Sequence, residues 1–173
     1  MWRLSLTTVK HGICIIPQTA WDNNLRSYLT QTQWDKIRRK CYAEHNYTCQ
    51  ICGGQGGNGR KHPVECHESW TFENGEVKLV GLMSLCPPCH EFHHPGLAEK
   101  NGKLERAIKQ FMKVNGITRD QAIAYLKSEF ATWRQRSQQD WSLNIDYLSE
   151  YMGPDFKFKR PVKEEEDDFG DAF

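Results

Sequence analysis

The chain has 173 residues, with 23 Lys plus Arg against 22 Asp plus Glu, enough for one domain or one small domain with helical additions. No run approaches the roughly 18 apolar residues of a membrane span, and the first residues lack a secretory leader's layout, so a soluble, cytoplasmic protein with no membrane partner is expected. Six of the 22 acids fall in the last eleven residues, leaving 16 acids against 23 Lys plus Arg in residues 1–163, a basic surplus of seven that favours a polyanionic partner.

Residues 3–16 alternate loosely and include Ile13, Ile15 and Ile16, which predicts a short strand or two ended by Pro17. Thr19 or Asp22 then caps a short helix to about Leu29. A stronger helix is predicted from about Gln33 to His45, with Trp34, Ile37 and Cys41 on one face and Lys36, Arg38, Arg39 and Lys40 around the rest. Cys49-Gln-Ile-Cys52-Gly53-Gly54 reads as a metal knuckle, followed by a loop over 53–61 that holds five glycines. Residues 63–72 and 76–83 read as two strands joined by the hairpin signal Asn74-Gly75. Cys86-Pro-Pro-Cys89 is a second knuckle, and its prolines start a helix carrying His90, His93 and His94. Helices over about 103–114 and 119–137 follow, the second capped by Thr118. The segment 141–151 packs Trp141, Leu143, Ile145 and Leu148, and from about Gly153 onward composition predicts disorder.

Seven cysteines is an odd number, and four of them form two C-x-x-C pairs. Without a secretory leader that favours metal over disulfides, so Cys49, Cys52, Cys86 and Cys89 are the expected ligands of one structural zinc ion. Four protein thiolates leave no open coordination position, which makes that zinc a staple and not a reagent. Cys14 and Cys41 read as ordinary buried thiols. Between and after the knuckles lie Glu65-Cys66-His67-Glu68 on the first hairpin strand and His90 and His94 four residues apart. On a helix such a pair shares a face and can hold one ion between its rings. His93 competes for that ligand role, and His62 reads as a loop residue. Trp70, Trp133 and Trp141 read first as core residues and second as surfaces on which bases could stack.

Over residues 34–96 this pattern resembles the zinc-stapled HNH endonucleases. It runs from Trp34-Asp-Lys-Ile-Arg-Arg39 through the first knuckle and Pro63-Val-Glu-Cys-His-Glu68-x-Trp70 to Leu85-Cys86-Pro-Pro-Cys89-His90. Trp21-Asp-Asn-Asn-Leu-Arg26, Lys113-Val-Asn115-Gly and Trp133-x-x-Arg136-Ser137 look similar to the flanks of a phage and bacterial HNH-like group. The resemblance implies an α+β fold with a ββα-metal core (34–96), an N-terminal extension (1–33), a helical extension (97–152) and an acidic disordered tail (153–173). It implies metal-dependent hydrolysis of DNA phosphodiesters with His67 as general base, aided by a base pKa near the ordinary value of about 6.5. His90 and His94 would hold Mg²⁺ or another divalent ion, and Lys36, Arg38, Arg39, Arg60 and Lys61 would contact the phosphate backbone.

Two positions depart from the family pattern. Cys66 stands where an Asp or His ligand precedes the base, and Gly81 stands where an asparagine orients it. Glu65 is the expected replacement ligand, because residues i and i+2 of a strand share a face with each other; a one-residue change of register would give the role to Glu68. The other reading is a non-catalytic zinc module that binds DNA or a protein. In either case the tail Glu164-Glu-Glu-Asp-Asp-Phe169-Gly-Asp-Ala-Phe173 resembles the acidic, Phe-terminated tails of single-stranded-DNA-binding proteins that dock on replication and repair partners.

Overall fold

A computed structural model describes residues 9–20, 25–55 and 64–157 of the chain. The expectations for residues 3–8, for Trp21–Asn24, for Arg60, Lys61 and His62 in the glycine-rich loop, and for the acidic tail beyond residue 157 lie outside the described residues. The fold is mixed α+β. Among the described residues it has six α-helices and one three-stranded sheet: α1 (Gln31–Glu44), β1 (Glu65–Glu73), β2 (Glu76–Leu85), α2 (Pro87–His93), α3 (Pro95–Lys100), α4 (Leu104–Asn115), α5 (Arg119–Arg136), β3 (Ser142–Asn144) and α6 (Tyr147–Met152). None of these helices is long and apolar enough to cross a membrane.

Local chemistry sets the ends of these elements. Thr30 and Gln33 form a reciprocal capping box that starts α1, two residues before the position its apolar stripe suggested, and Thr118 with Gln121 does the same for α5. β1 and β2 pair antiparallel from Glu73↔Glu76 back to Glu65↔Leu85. The two residues between them, Asn74 and Gly75, have φ of 52° and 76°, as a tight hairpin turn of matching twist requires. A bulge between Ser69 and Trp70 sits opposite Gly81, whose missing side chain leaves Ser69 as its neighbour across the ladder.

Two differences from the sequence expectations have clear causes. Residues 9–17 form no strand. Their backbone is satisfied by side chains of α4 and α5: His11 N–H donates to Asn115 Oδ1 at 2.7 Å and Ile13 N–H to the Tyr125 hydroxyl at 3.0 Å, while Trp133 Nε1 donates to the Ile16 carbonyl at 3.0 Å. Residues 153–157, expected to be disordered, dock on α1, where Phe156 packs into the core and the Gln33 amide donates to the Lys157 carbonyl at 2.7 Å.

Two large apolar clusters flank the sheet. One sets Trp34, Ile37 and Cys41 of α1 and Leu148 of α6 against Cys66, Leu79 and Leu82. The other joins Leu85, Cys89 and Phe92 to Ala107, Ile108 and Phe111 of α4, Ala122 of α5 and Ile13. The second matters for function, because it clamps the short helix α2 between β2 and α4. Seven residues are too few to hold a helix by propensity, so packing and side-chain anchors must fix α2.

Candidate metal centre

The anchor is the cysteine quartet. Around Cys49 the chain turns back on itself: Cys49 N–H donates to the Gly54 carbonyl at 2.9 Å and Gly53 N–H to the Cys49 carbonyl at 2.8 Å. Gly53 supplies the φ of +73° that this turn needs. Across from it, Cys86 caps α2 and Pro87 and Pro88 occupy the first helical positions, where a missing N–H costs nothing. The Sγ atoms of Cys49, Cys52, Cys86 and Cys89 all lie within 4.8 Å of one another, and Cys52 and Cys86 are 3.6 Å apart. Tetrahedral ligands about 2.3 Å from zinc stand about 3.8 Å apart, so the spacing is compatible with a structural zinc ion.

The donors around the sulfurs point the same way. Gly54 N–H reaches Cys52 Sγ at 3.4 Å and Gln110 Nε2–H reaches Cys89 Sγ at 3.0 Å, polar hydrogens turned toward sites of sulfur charge. Gln110, on α4, gave no sign of this role in the sequence. Cys49 is held well below the ordinary thiol range by hydrogen bonds from Cys86 and Cys89, while those same contacts with Cys49 push Cys86 and Cys89 up. One thiolate ionises at the expense of its neighbours, and a divalent cation is what would let all four ionise together.

One residue beyond Cys89, the same helix presents a second cluster. One ring nitrogen each from His67, His90 and His94 lie within 4.8 Å of one another. His90 Nε2 and His94 Nε2 are 3.1 Å apart. His90 Nδ1–H donates to Glu65 Oε2 at 2.7 Å, which fixes the tautomer and leaves Nε2 with a free lone pair. His94 is not on α2, which ends at His93; as the following residue, with φ −123° and ψ 60°, it swings its ring back to meet His90.

The shared strand face is Glu65 and His67, as the alternation predicted, but Glu65 sits behind His90 as its hydrogen-bond acceptor and does not join the three imidazoles. Glu68 is not in the cluster either; it lines the neighbouring cleft. Cys66, buried beside Trp34 and Cys41 in the α1 core, also lines the groove that passes Glu65 and His90, but it does not join the three imidazoles. His93, the lesser ligand candidate, lies buried with its ring 4.3 Å from that of His67.

Burial keeps the rings of His67, His93 and His94 neutral. His67 is driven far below the ordinary histidine range, first by burial and then by the charges of His93, His94 and His90. Burial likewise lowers His93 to about 3 and His94 to about 4. The expectation of a near-ordinary pKa for His67 is therefore corrected: a histidine only 7% exposed cannot keep it. His67 Nδ1 and His93 Nε2 are buried with no hydrogen-bond partner among the described residues, a cost of about 1–3 kcal/mol each that a ligand would relieve. Three imidazole donors fit Zn²⁺, Ni²⁺ or a similar borderline cation. They do not suit Mg²⁺ as a resident ion, which prefers carboxylate oxygens and water.

A pH prediction follows from the depressed values. The folded pKa values lie below the unfolded value of about 6.5, so between them the unfolded chain binds more protons than the folded one. With no divalent ion added to the histidines, the melting temperature should be level above about pH 7 and fall between pH 6.5 and 5.5. A calorimetric series flat across that interval would contradict the buried neutral cluster.

Two grooves meet at the cluster. A polar one of about 380 Å³ runs past Arg38, Glu65, His90, His94 and Lys103. Of the basic residues on α1 only Arg38 reaches it, and Asp35 holds its guanidinium at 2.7 Å; Lys36 and Arg39 are exposed and line neither groove. A larger, mostly apolar cleft lies on the other side of His67 and His94. Compared with known proteins, the chain matches no family model, no curated protein and no solved structure.

Proposed function

We propose that this protein is a metal-dependent nuclease that hydrolyses phosphodiester bonds, DNA foremost, through a ββα-metal unit of HNH type stapled by structural zinc. The observation that carries the reading is the convergence of His67 from β1 with His90 and His94 at the end of α2, beside a groove lined by Arg38 and Lys103 as well as Glu65 and Glu91, and next to a cysteine quartet at the start of α2. A divalent ion bound there would supply Lewis-acid chemistry toward a phosphodiester. His90 and His94, whose Nε2 atoms face each other, would hold it, and Glu65 keeps His90 in the tautomer that leaves Nε2 to a ligand. His67 is neutral, and its ring centroid is 5.4 Å from that of His90 and 5.2 Å from that of His94. It takes the proton of the attacking water, as a general base within one solvent molecule of the reacting phosphate. The phosphodiester's own negative charge raises the proton affinity of His67 as it arrives. Water oxygen would bond to phosphorus while the bond to the 3′-oxygen breaks, the leaving 3′-oxygen taking up a proton from solvent and His67 later returning its own to solvent. Arg38 and Lys103 orient the backbone on the polar side.

A second role for His67 has its own support: its nitrogen is close enough to the other two to be a third ligand of the same ion. The two roles separate by metal affinity, which a base does not carry and a ligand does.

Incubating the zinc-loaded protein with supercoiled plasmid and with oligonucleotides, in Mn²⁺, Ni²⁺, Zn²⁺ or Mg²⁺, tests the reading. Nicking or shortening is expected with the borderline cations ahead of Mg²⁺. No cleavage with any of them, in protein retaining one zinc per chain, would leave a non-catalytic zinc module that binds DNA or a protein partner. Glu65→Gln should weaken divalent binding at the histidines about 10- to 100-fold by calorimetric titration, without loss of the zinc staple.

A further inference from the structure

The apolar cleft on the far side of the histidines is too large and too open to be a packing defect. It has a volume of about 710 Å³, within the range of about 300–1,000 Å³ common for small-molecule sites. Its walls bring together separate parts of the chain: Trp70 on β1, Phe130 and Trp133 on α5, Leu97 on α3, and Ile15 and its neighbours in the N-terminal segment. These side chains do not close on one another. The Phe130 and Trp133 rings stand edge to face with centroids 6.4 Å apart, and all three aromatic residues remain half-buried. Leu97 is 58% exposed at the mouth, which it shares with the polar groove. Aromatic surface left facing a cavity marks a place where something flat and apolar-faced is expected to sit.

What sits there is constrained by what adjoins it. His67 and His94 belong at once to the cleft and to the histidine cluster, and Lys100 adds a cation at the cleft wall. A ligand in the cleft therefore has its neighbouring atoms at the metal centre and a cation within reach of its anionic part. A nucleobase joined to a phosphate meets each condition: a π-face for Trp70, Trp133 and Phe130, a phosphate for the histidine centre, and a backbone continuing along Arg38 and Lys103 in the polar groove. Within a continuous duplex the bases face inward and could not enter.

We propose that this cleft binds an unpaired nucleobase next to the scissile phosphate, so that the protein acts on single-stranded, bulged or frayed nucleic acid in preference to continuous duplex. The proposal rests on the nuclease reading for the position of the phosphate, but the cleft can be tested without turnover.

Phe130 is the residue to change, because it packs into none of the three core clusters, whereas Trp133 anchors residues 9–17 and Trp70 supports the core. Equilibrium binding is measured by fluorescence anisotropy with no divalent ion added, for wild type, Phe130→Ala and Phe130→Trp. The probes are a single-stranded oligonucleotide, a blunt duplex of the same sequence, and a strand of equal length made of abasic sites. The expected result is that the single strand binds at least about tenfold tighter than the duplex or the abasic strand. Phe130→Ala should lose about five- to a hundredfold on the single strand alone, and Phe130→Trp should restore it. Equal affinity for all three probes, or a single-strand affinity untouched by Phe130→Ala, would overturn the proposal. If Phe130→Ala fails to fold, the abasic strand decides: binding it as tightly as the normal strand overturns the inference in the wild-type protein. A protein that shows the base-dependent binding but cleaves nothing would retain the cleft and lose the nuclease. One that cleaves duplex freely with no base-dependent binding would do the reverse.

Discussion

Replacing Cys89 with serine is expected to release the zinc and lower the melting temperature by about 8–16 °C or more, with loss of the α2–α4 region as a cooperative unit. Zinc held by a structural site contributes about 10–16 kcal/mol in favourable cases, against a whole-domain stability of about 5–15 kcal/mol. Even a loss of about 4 kcal/mol moves the midpoint of a chain this size by that amount. The position is chosen because Cys89 is fully buried, faces Gln110 at 3.0 Å, and sits in the same cluster as Leu85, Phe92 and Phe111. Serine cannot replace thiolate toward zinc, and it would leave a hydroxyl among apolar neighbours. Zinc content and thermal melting measured on the same sample check this. A variant that keeps one zinc and melts as wild type does would show that the quartet is not the staple.

The second large effect is on turnover. His67→Ala is expected to lower the cleavage rate by about 10²- to 10⁴-fold while one zinc per chain remains, since general-base catalysis is worth about that much. The variant removes a buried ring whose centroid lies 4.3 Å from that of His93, so some stability is lost too; melting temperature must be recorded beside the rate. Titration with Ni²⁺ or Mn²⁺ then assigns the role. Affinity retained within a few-fold fits His67 as base, with His90 and His94 sufficient as ligands. Affinity lost together with the rate fits a three-imidazole centre. An unchanged rate removes His67 from the mechanism.

What the sequence made legible is what local rules control. The two knuckles are readable because the pairs Cys49-x-x-Cys52, followed by Gly53, and Cys86-Pro-Pro-Cys89 have few other uses, and the hairpin because Asn74-Gly75 matches one kind of turn. Both capping boxes lie at or near the expected helix starts for the same reason. The misses share a different cause: each depends on where a distant element comes to rest. β3 is three residues long and pairs parallel with β2 from the far end of the chain, Glu76↔Ser142 to Lys78↔Asn144, with no pattern of its own to announce it. The loose alternation over residues 3–16 suggests strand, yet the described part from residue 9 onward packs on α4 and α5.

At the site, residue types were easier to read than roles. His67, His90 and His94 were chosen from spacing and resemblance, and the fold brings them to one point. The fold also moves Glu65 from ligand to the acceptor behind His90, and it takes His94 off the helix that was to carry it. The burial that lowers His67 could not be seen from a strand of alternating exposure. The aromatic cleft was invisible for a related reason: Trp70 and Trp133 have helix and strand spacings that fit core packing, and only the meeting of β1, α3 and α5 leaves their rings facing a cavity.

The measurement that tests the central claim most directly is the number of metal ions per chain, by native mass spectrometry, for wild type and for a His90→Ala, His94→Ala double variant at saturating Zn²⁺ or Ni²⁺. The wild-type protein is expected to carry two ions, one retained in mild chelator and one exchangeable, and the variant a single retained ion. A wild-type protein that takes only one ion at saturation, with the variant identical to it, would contradict a metal centre at the histidines and with it the hydrolytic role.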